Sequence, residues 1–106
     1  MKETYFIKAA TPAEKVAKLV NLVARAYEQG KRIQICCPSE EAKDYVDRLL
    51  WREPKDGFLP HEVDDKEARI SVCCETKNIN RADVAFNLDV GPLEDFEIVL
   101  AFEQSV

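Results

Sequence analysis

Residues 30–41, GKRIQICCPSEE, place one short apolar run between two helix signals, and that arrangement decides the fold class. Gly30 supplies the left-handed residue that commonly closes a helix. Lys31 and Arg32 lead into Ile33-Gln34-Ile35-Cys36-Cys37, branched and small residues that suit a strand, and Pro38 ends it. Ser39 then offers an N-cap oxygen, with Glu40 and Glu41 in the first turn, where the helix dipole favours negative charge. Helix, strand and helix in such close succession imply helical crossovers, which parallel strands require and which run right-handed.

Toward the N-terminus, Thr4-Tyr5-Phe6-Ile7 is aromatic and β-branched and reads as a first strand. Thr11-Pro12-Ala13-Glu14 is a capping box with proline at the first helical position. From there Val16, Leu19, Val20, Val23 and Tyr27 repeat at three and four residues, predicting a helix to about Gln29. Toward the C-terminus, Ala42, Tyr45, Val46, Leu49 and Leu50 form the stripe of a second helix, with Trp51 at or just past its last turn.

Beyond it, Glu62 to Glu67 reads as a solvated acidic turn and Arg69 to Cys74 as a strand. A polar loop through Asn78, Asn80 and Arg81 leads to a strand over Val84–Leu88, which Gly91-Pro92 closes. One helical turn at Leu93-Glu94-Asp95 is expected before a last strand, Phe96–Phe102. The whole reads as a single α/β domain over residues 1–106, three-layered and Rossmann-like. It has a mostly parallel sheet of about five strands and two long helices. Two helices cover one sheet face thinly, so a bare face or edge is a candidate for a partner.

Hydrophobic residues at 46% and charged residues at 33% are ordinary globular composition, and a net charge of −5 disfavours direct nucleic-acid binding, which needs a basic face. No run approaches a membrane span and the start resembles no signal peptide, so a cytoplasmic protein is expected. The vicinal pairs Cys36-Cys37 and Cys73-Cys74 point to opposite strand faces, which suits free thiols better than a metal site or an internal bridge.

No glycine-rich phosphate loop occurs, and only 3 glycines are present, so nucleotide binding is disfavoured; no cofactor and no metal are expected. Cys37 stands between a strand and a helix N-terminus, where a thiol can be activated, yet Glu40 and Glu41 oppose thiolate formation. His61, the single histidine, has Glu62, Asp64 and Asp65 nearby and could act as a base, but a hydrogen-bonded structural role is the commoner fate. A small enzyme using Cys37 or His61 is therefore one alternative, and a self-associating α/β module another.

The remaining costly residues lie in LLWREPKDGFLPH, residues 49–61. Trp51 and Phe58 can fill the gap between helix and sheet, or anchor a partner, since tryptophan with arginine nearby is enriched at interface hot spots and Arg48 and Arg52 flank it. Pro54, Gly57 and Pro60 shape the turn between.

Gly30-Lys31-Arg32-Ile33-Gln34-Ile35-Cys36, then Leu49-Leu50-Trp51, then Phe58-Leu59-Pro60-His61, in this order and spacing, resembles the chi subunit family of bacterial DNA polymerase III holoenzyme. The later strand-like blocks fit as well, so the resemblance spans nearly the whole chain. It implies a non-catalytic accessory of the clamp loader, joining psi or a helicase-like partner to the acidic, phenylalanine-ended tail of single-stranded DNA-binding protein. It also implies partner contacts for Trp51 and Phe58, extended here to Leu59, Pro60, Arg48 and Arg52. The family's best-known members continue past the last strand into a basic, tyrosine-containing helix that grips the tail, whereas this chain stops at Glu103-Gln104-Ser105-Val106. A short member lacking that helix is expected. A reduced tail site would use Phe102, with Arg48, Arg52 or Lys55 for the acidic residues.

Overall fold

A computed structural model describes residues 3–52 and 59–102. Its elements are β1 (Glu3–Ile7), α1 (Pro12–Glu28), β2 (Ile33–Cys36), α2 (Glu40–Arg52), β3 (Glu62–Val63), β4 (Ile70–Cys73), β5 (Val84–Asn87) and β6 (Ile98–Phe102). The capping box forms as read: Thr11 is extended, and its Oγ1 accepts from the Glu14 amide at 3.1 Å. The far end of α1 closes on Gly30 at φ 80°, with the Gly30 amide donating to Tyr27 O and the Lys31 amide to Ala26 O. These two bonds are the Schellman pattern, and they need a residue at positive φ. Ser39 Oγ accepts from the Ala42 amide at 3.1 Å and starts α2.

All strand pairs are parallel, in the order β1-β6-β5-β2-β4-β3. The topology dictates what covers each face. From β1 to β2 and from β2 to β3 the chain moves in one direction across the sheet, and right-handed crossovers then put α1 and α2 on the same face. There Leu19, Val20 and Val23 of α1 and Val46, Leu49 and Leu50 of α2 pack on Ile33, Ile35, Ile70, Val72 and Phe86. From β4 to β5 and β5 to β6 the direction reverses, so the connections cross the opposite face. They do so as ordered loops: Leu93 and Phe96 pack over Cys36, Ala85 and Val99. The third layer is thus irregular chain.

Buried polar side chains tie that irregular layer to the strands. Gln34, fully buried in β2, donates from Nε2 to Lys77 O at 2.8 Å and accepts from the Ile79 amide at 2.9 Å. Asn80 Nδ2 donates to both Ile33 O and Ala68 O at 3.0 Å. Arg32 donates from Nε to Asn80 O and from its guanidinium to Glu67 O, each at 2.9 Å. Three loops are held at the start of the sheet by hydrogen bonds, which satisfies backbone groups that a helix would satisfy internally.

Several local expectations differ. Glu62 and Val63, expected in a solvated turn, pair with Ser71 and Val72 as an edge strand, giving six strands among the described residues. The pairing holds because Lys43 Nζ reaches Asp64 at 2.8 Å and Glu40 at 2.6 Å, pinning the following turn to α2. Lys43 is buried and Tyr45, assigned to the apolar stripe, is 53% exposed. Residues 93–95 form no helical turn; Leu93 is buried as part of the loop layer, and Asp95 takes a positive φ that a helix excludes.

Candidate functional site

Trp51 lies in the last turn of α2 and is 54% exposed. Its base is ordered. The His61 ring sits 4.8 Å from it between centroids, tilted by 51°. His61 is buried, with Nδ1 2.6 Å from Leu59 O and Nε2 2.8 Å from Asp47 Oδ1 and 3.1 Å from Asp47 O. Asp47 stands one turn before Trp51 on the same helix. The histidine therefore fastens the start of β3 to the end of α2 and backs the indole.

Leu59 joins the core, Pro60 is exposed beside it, and Arg48 and Arg52 are exposed on α2. Val63, 37% exposed, adds apolar surface on the neighbouring edge. Trp51, Pro60, Arg48 and Arg52 are thus surface groups, while Leu59 supports them from below. Phe58 and Lys55 lie outside the described residues. An aromatic held by its own scaffold loses little freedom when a partner covers it, which is the physical basis of a binding anchor.

The two candidate chemical groups are engaged internally. Both ring nitrogens of His61 face protein oxygen atoms. Cys37 is buried in the helix-side core, and burial pushes its thiol up to about 12, far from a nucleophilic thiolate at neutral pH. Cys36 and Cys73 are register partners on β2 and β4; a hydrogen bond between their thiols raises Cys36 and lowers Cys73. Cys74 is exposed. Among the described residues, no three histidine, cysteine or carboxylate side chains gather as a metal site, and no helix is long and apolar enough to cross a membrane.

A second surface lies at the opposite edge of the sheet. Phe6 is 67% and Tyr5 50% exposed on β1. Phe6 and Ile7 form a groove against α1 with Lys18, Asn21, Leu22 and Arg25. Lys18 pairs with Glu14 at 3.0 Å and also donates to Lys8 O. Phe102, expected near a tail site, pairs in register with Ile7; it is buried, and Lys15 Nζ stands 5.3 Å from its ring centroid. Phe102 thus belongs to the wall behind this groove. The groove itself went unread because nothing local says that the first strand lies at an edge. The signal was Tyr5-Phe6: adjacent aromatics on a strand face opposite ways, so both are covered only in a central strand.

The fold and these surfaces define a parallel α/β scaffold that carries an exposed tryptophan at one sheet edge and a basic-rimmed apolar groove at the other. The chain belongs to the DNA polymerase III chi subunit family: it matches the family described as DNA polymerase III chi subunit, HolC, over residues 1–105. It is similar to DNA polymerase III subunit chi of Pseudomonas aeruginosa, 27% identical over 86 residues, covering 79% of this chain and 61% of that protein. The Haemophilus influenzae subunit is 29% identical over 73 residues, 64% of this chain and 51% of its own length. The Escherichia coli subunit is 33% identical over 42 residues, 40% of this chain and 29% of that protein. The matched part therefore spans between about half and three fifths of the length of these first two relatives.

Proposed function

We propose that this chain is a non-catalytic accessory subunit of bacterial DNA polymerase III holoenzyme, a cytoplasmic adaptor folded as one domain over residues 1–106. It docks a psi-like clamp-loader subunit, or a helicase-like protein in its place, through Trp51, Phe58, Leu59, Pro60, Arg48 and Arg52. The observation that carries the reading is Trp51, half exposed on a base that His61 and Asp47 fix. Membership of the chi family supplies the replication context. The internal engagement of His61 and the raised Cys37 thiol weigh against the alternative of a small enzyme.

The second partner is the acidic, phenylalanine-ended tail of single-stranded DNA-binding protein. The groove of Phe6, Ile7 and Leu22 with Lys18 and Arg25 suits its chemistry better than Phe102, which is buried. Contact with nucleic acid is indirect, consistent with a net charge of −5. The test is affinity capture of the psi-like subunit of the same organism by the full chain. Trp51→Ala and Phe58→Ala are expected to lose the partner while circular dichroism and the unfolding midpoint hold. Undiminished capture by both variants would end the docking assignment.

A further inference from the structure

The β1 edge has a property that side-chain chemistry alone does not use. The Glu3 amide donates to Glu97 O at 2.8 Å, and Glu3, Tyr5 and Ile7 pair with Ile98, Leu100 and Phe102. In a parallel ladder the backbone groups of alternate residues turn to opposite sides, so the N–H and C=O of Thr4 and Phe6 point away from β6 toward the open edge. Those groups border the groove that Phe6 and Leu22 line. Lys8, Lys15, Lys18 and Arg25 follow the same seam; of its carboxylates Glu14 is already paired with Lys18, and Glu3, at the far end of β1, accepts from the Tyr5 hydroxyl at 2.7 Å. Arg25 has no carboxylate partner among the described residues. In a chain of net charge −5, this local excess of cations selects an acidic occupant and disfavours a second copy, whose own cations would meet them.

We infer that an acidic, extended peptide segment binds here as an added strand, pairing its backbone with Thr4 and Phe6, setting an apolar side chain between Phe6 and Leu22, and placing carboxylates at Lys18 and Arg25. Edge addition supplies affinity through main-chain hydrogen bonds, and the flanking pockets supply selectivity. The inference rests on the tail-binding reading above and adds the mode of binding. It is tested with the full chain and a synthetic peptide of three aspartates followed by valine, threonine and phenylalanine with a free carboxylate.

Two further peptides carry backbone N-methyl groups, one at odd and one at even positions. An added strand offers its amides alternately, so one methylated peptide is expected to bind about tenfold or more weaker while the other stays near the parent. Arg25→Glu on the protein reports groove occupancy separately. If the parent binds and Arg25→Glu weakens it, but the two methylated peptides behave alike, strand addition is wrong and the groove reading survives. If the parent peptide does not bind, both are wrong.

Discussion

The two edges of the sheet carry exposed aromatics on opposite physical principles. At the β3 edge the strand is two residues long and its surroundings are locked: Lys43 holds Asp64 and Glu40, and His61 holds Asp47. What it exposes is a fixed side chain, Trp51, on a helix. At the β1 edge the strand runs five residues with a single neighbour among the described residues, and it exposes backbone as well as Tyr5 and Phe6. Short, side-chain-pinned edges resist strand pairing, whereas longer apolar ones invite it. The difference teaches that one small sheet can present two chemically distinct edges, a fixed side chain at one and backbone groups at the other.

Both edges hang on one core, so the largest effect comes from breaking it. Phe86, fully buried in β5 between them, is expected to cost about 3–5 kcal/mol on Phe86→Ala. Urea unfolding followed at each edge should shift together; two separate transitions would show that the edges do not share a core. His61→Ala removes the link to Asp47 and is expected to cost about 1–3 kcal/mol. Amide exchange should quicken at Leu59–Val63 and at the end of α2, with β1 unchanged.

Thr11→Ala acts on the other side. It removes the cap accepting from Glu14 and is expected to cost about 1 kcal/mol, loosening the start of α1 beside β1 while leaving Trp51 fluorescence unmoved. The smallest effect near neutrality concerns pH. Hydrogen bonds that the Lys43 ammonium donates to Asp64 and Glu40 raise it above its ordinary value, so its folded pKa exceeds the unfolded one of about 10.4. Its stabilisation is then complete below about 10.4 and lost as pH rises through the folded value. Lys43→Met should remove that alkaline slope in the unfolding free energy, and an unchanged slope would place its origin elsewhere.

The local chemistry of the fold was legible. TPAE and CPSEE announced both helix starts, Gly30 one helix end, and the run between them a buried strand. Strand order was not, because it depends on which distant segments pair, and with it went the edge position of Tyr5 and Phe6. Glu62-Val63 escaped because two residues carry no periodicity, and their pairing depends on Lys43, twenty positions away on another element. For the site, Trp51, Arg48 and Arg52 lie exposed on α2, while Leu59 and Phe102 are buried, because sequence spacing does not tell which apolar residues the core takes up. The basic-rimmed apolar groove of α1 and β1 exists only once the fold brings Leu22 and Arg25 beside Phe6.

The most direct test crosses the two edges. Trp51→Ala and Arg25→Glu are each titrated with the psi-like subunit and with the acidic peptide, using calorimetry on folded protein. Trp51→Ala should lose the psi-like subunit and keep the peptide, and Arg25→Glu should do the reverse. Loss of both ligands by either variant, or of neither by both, would contradict two separately anchored docking edges.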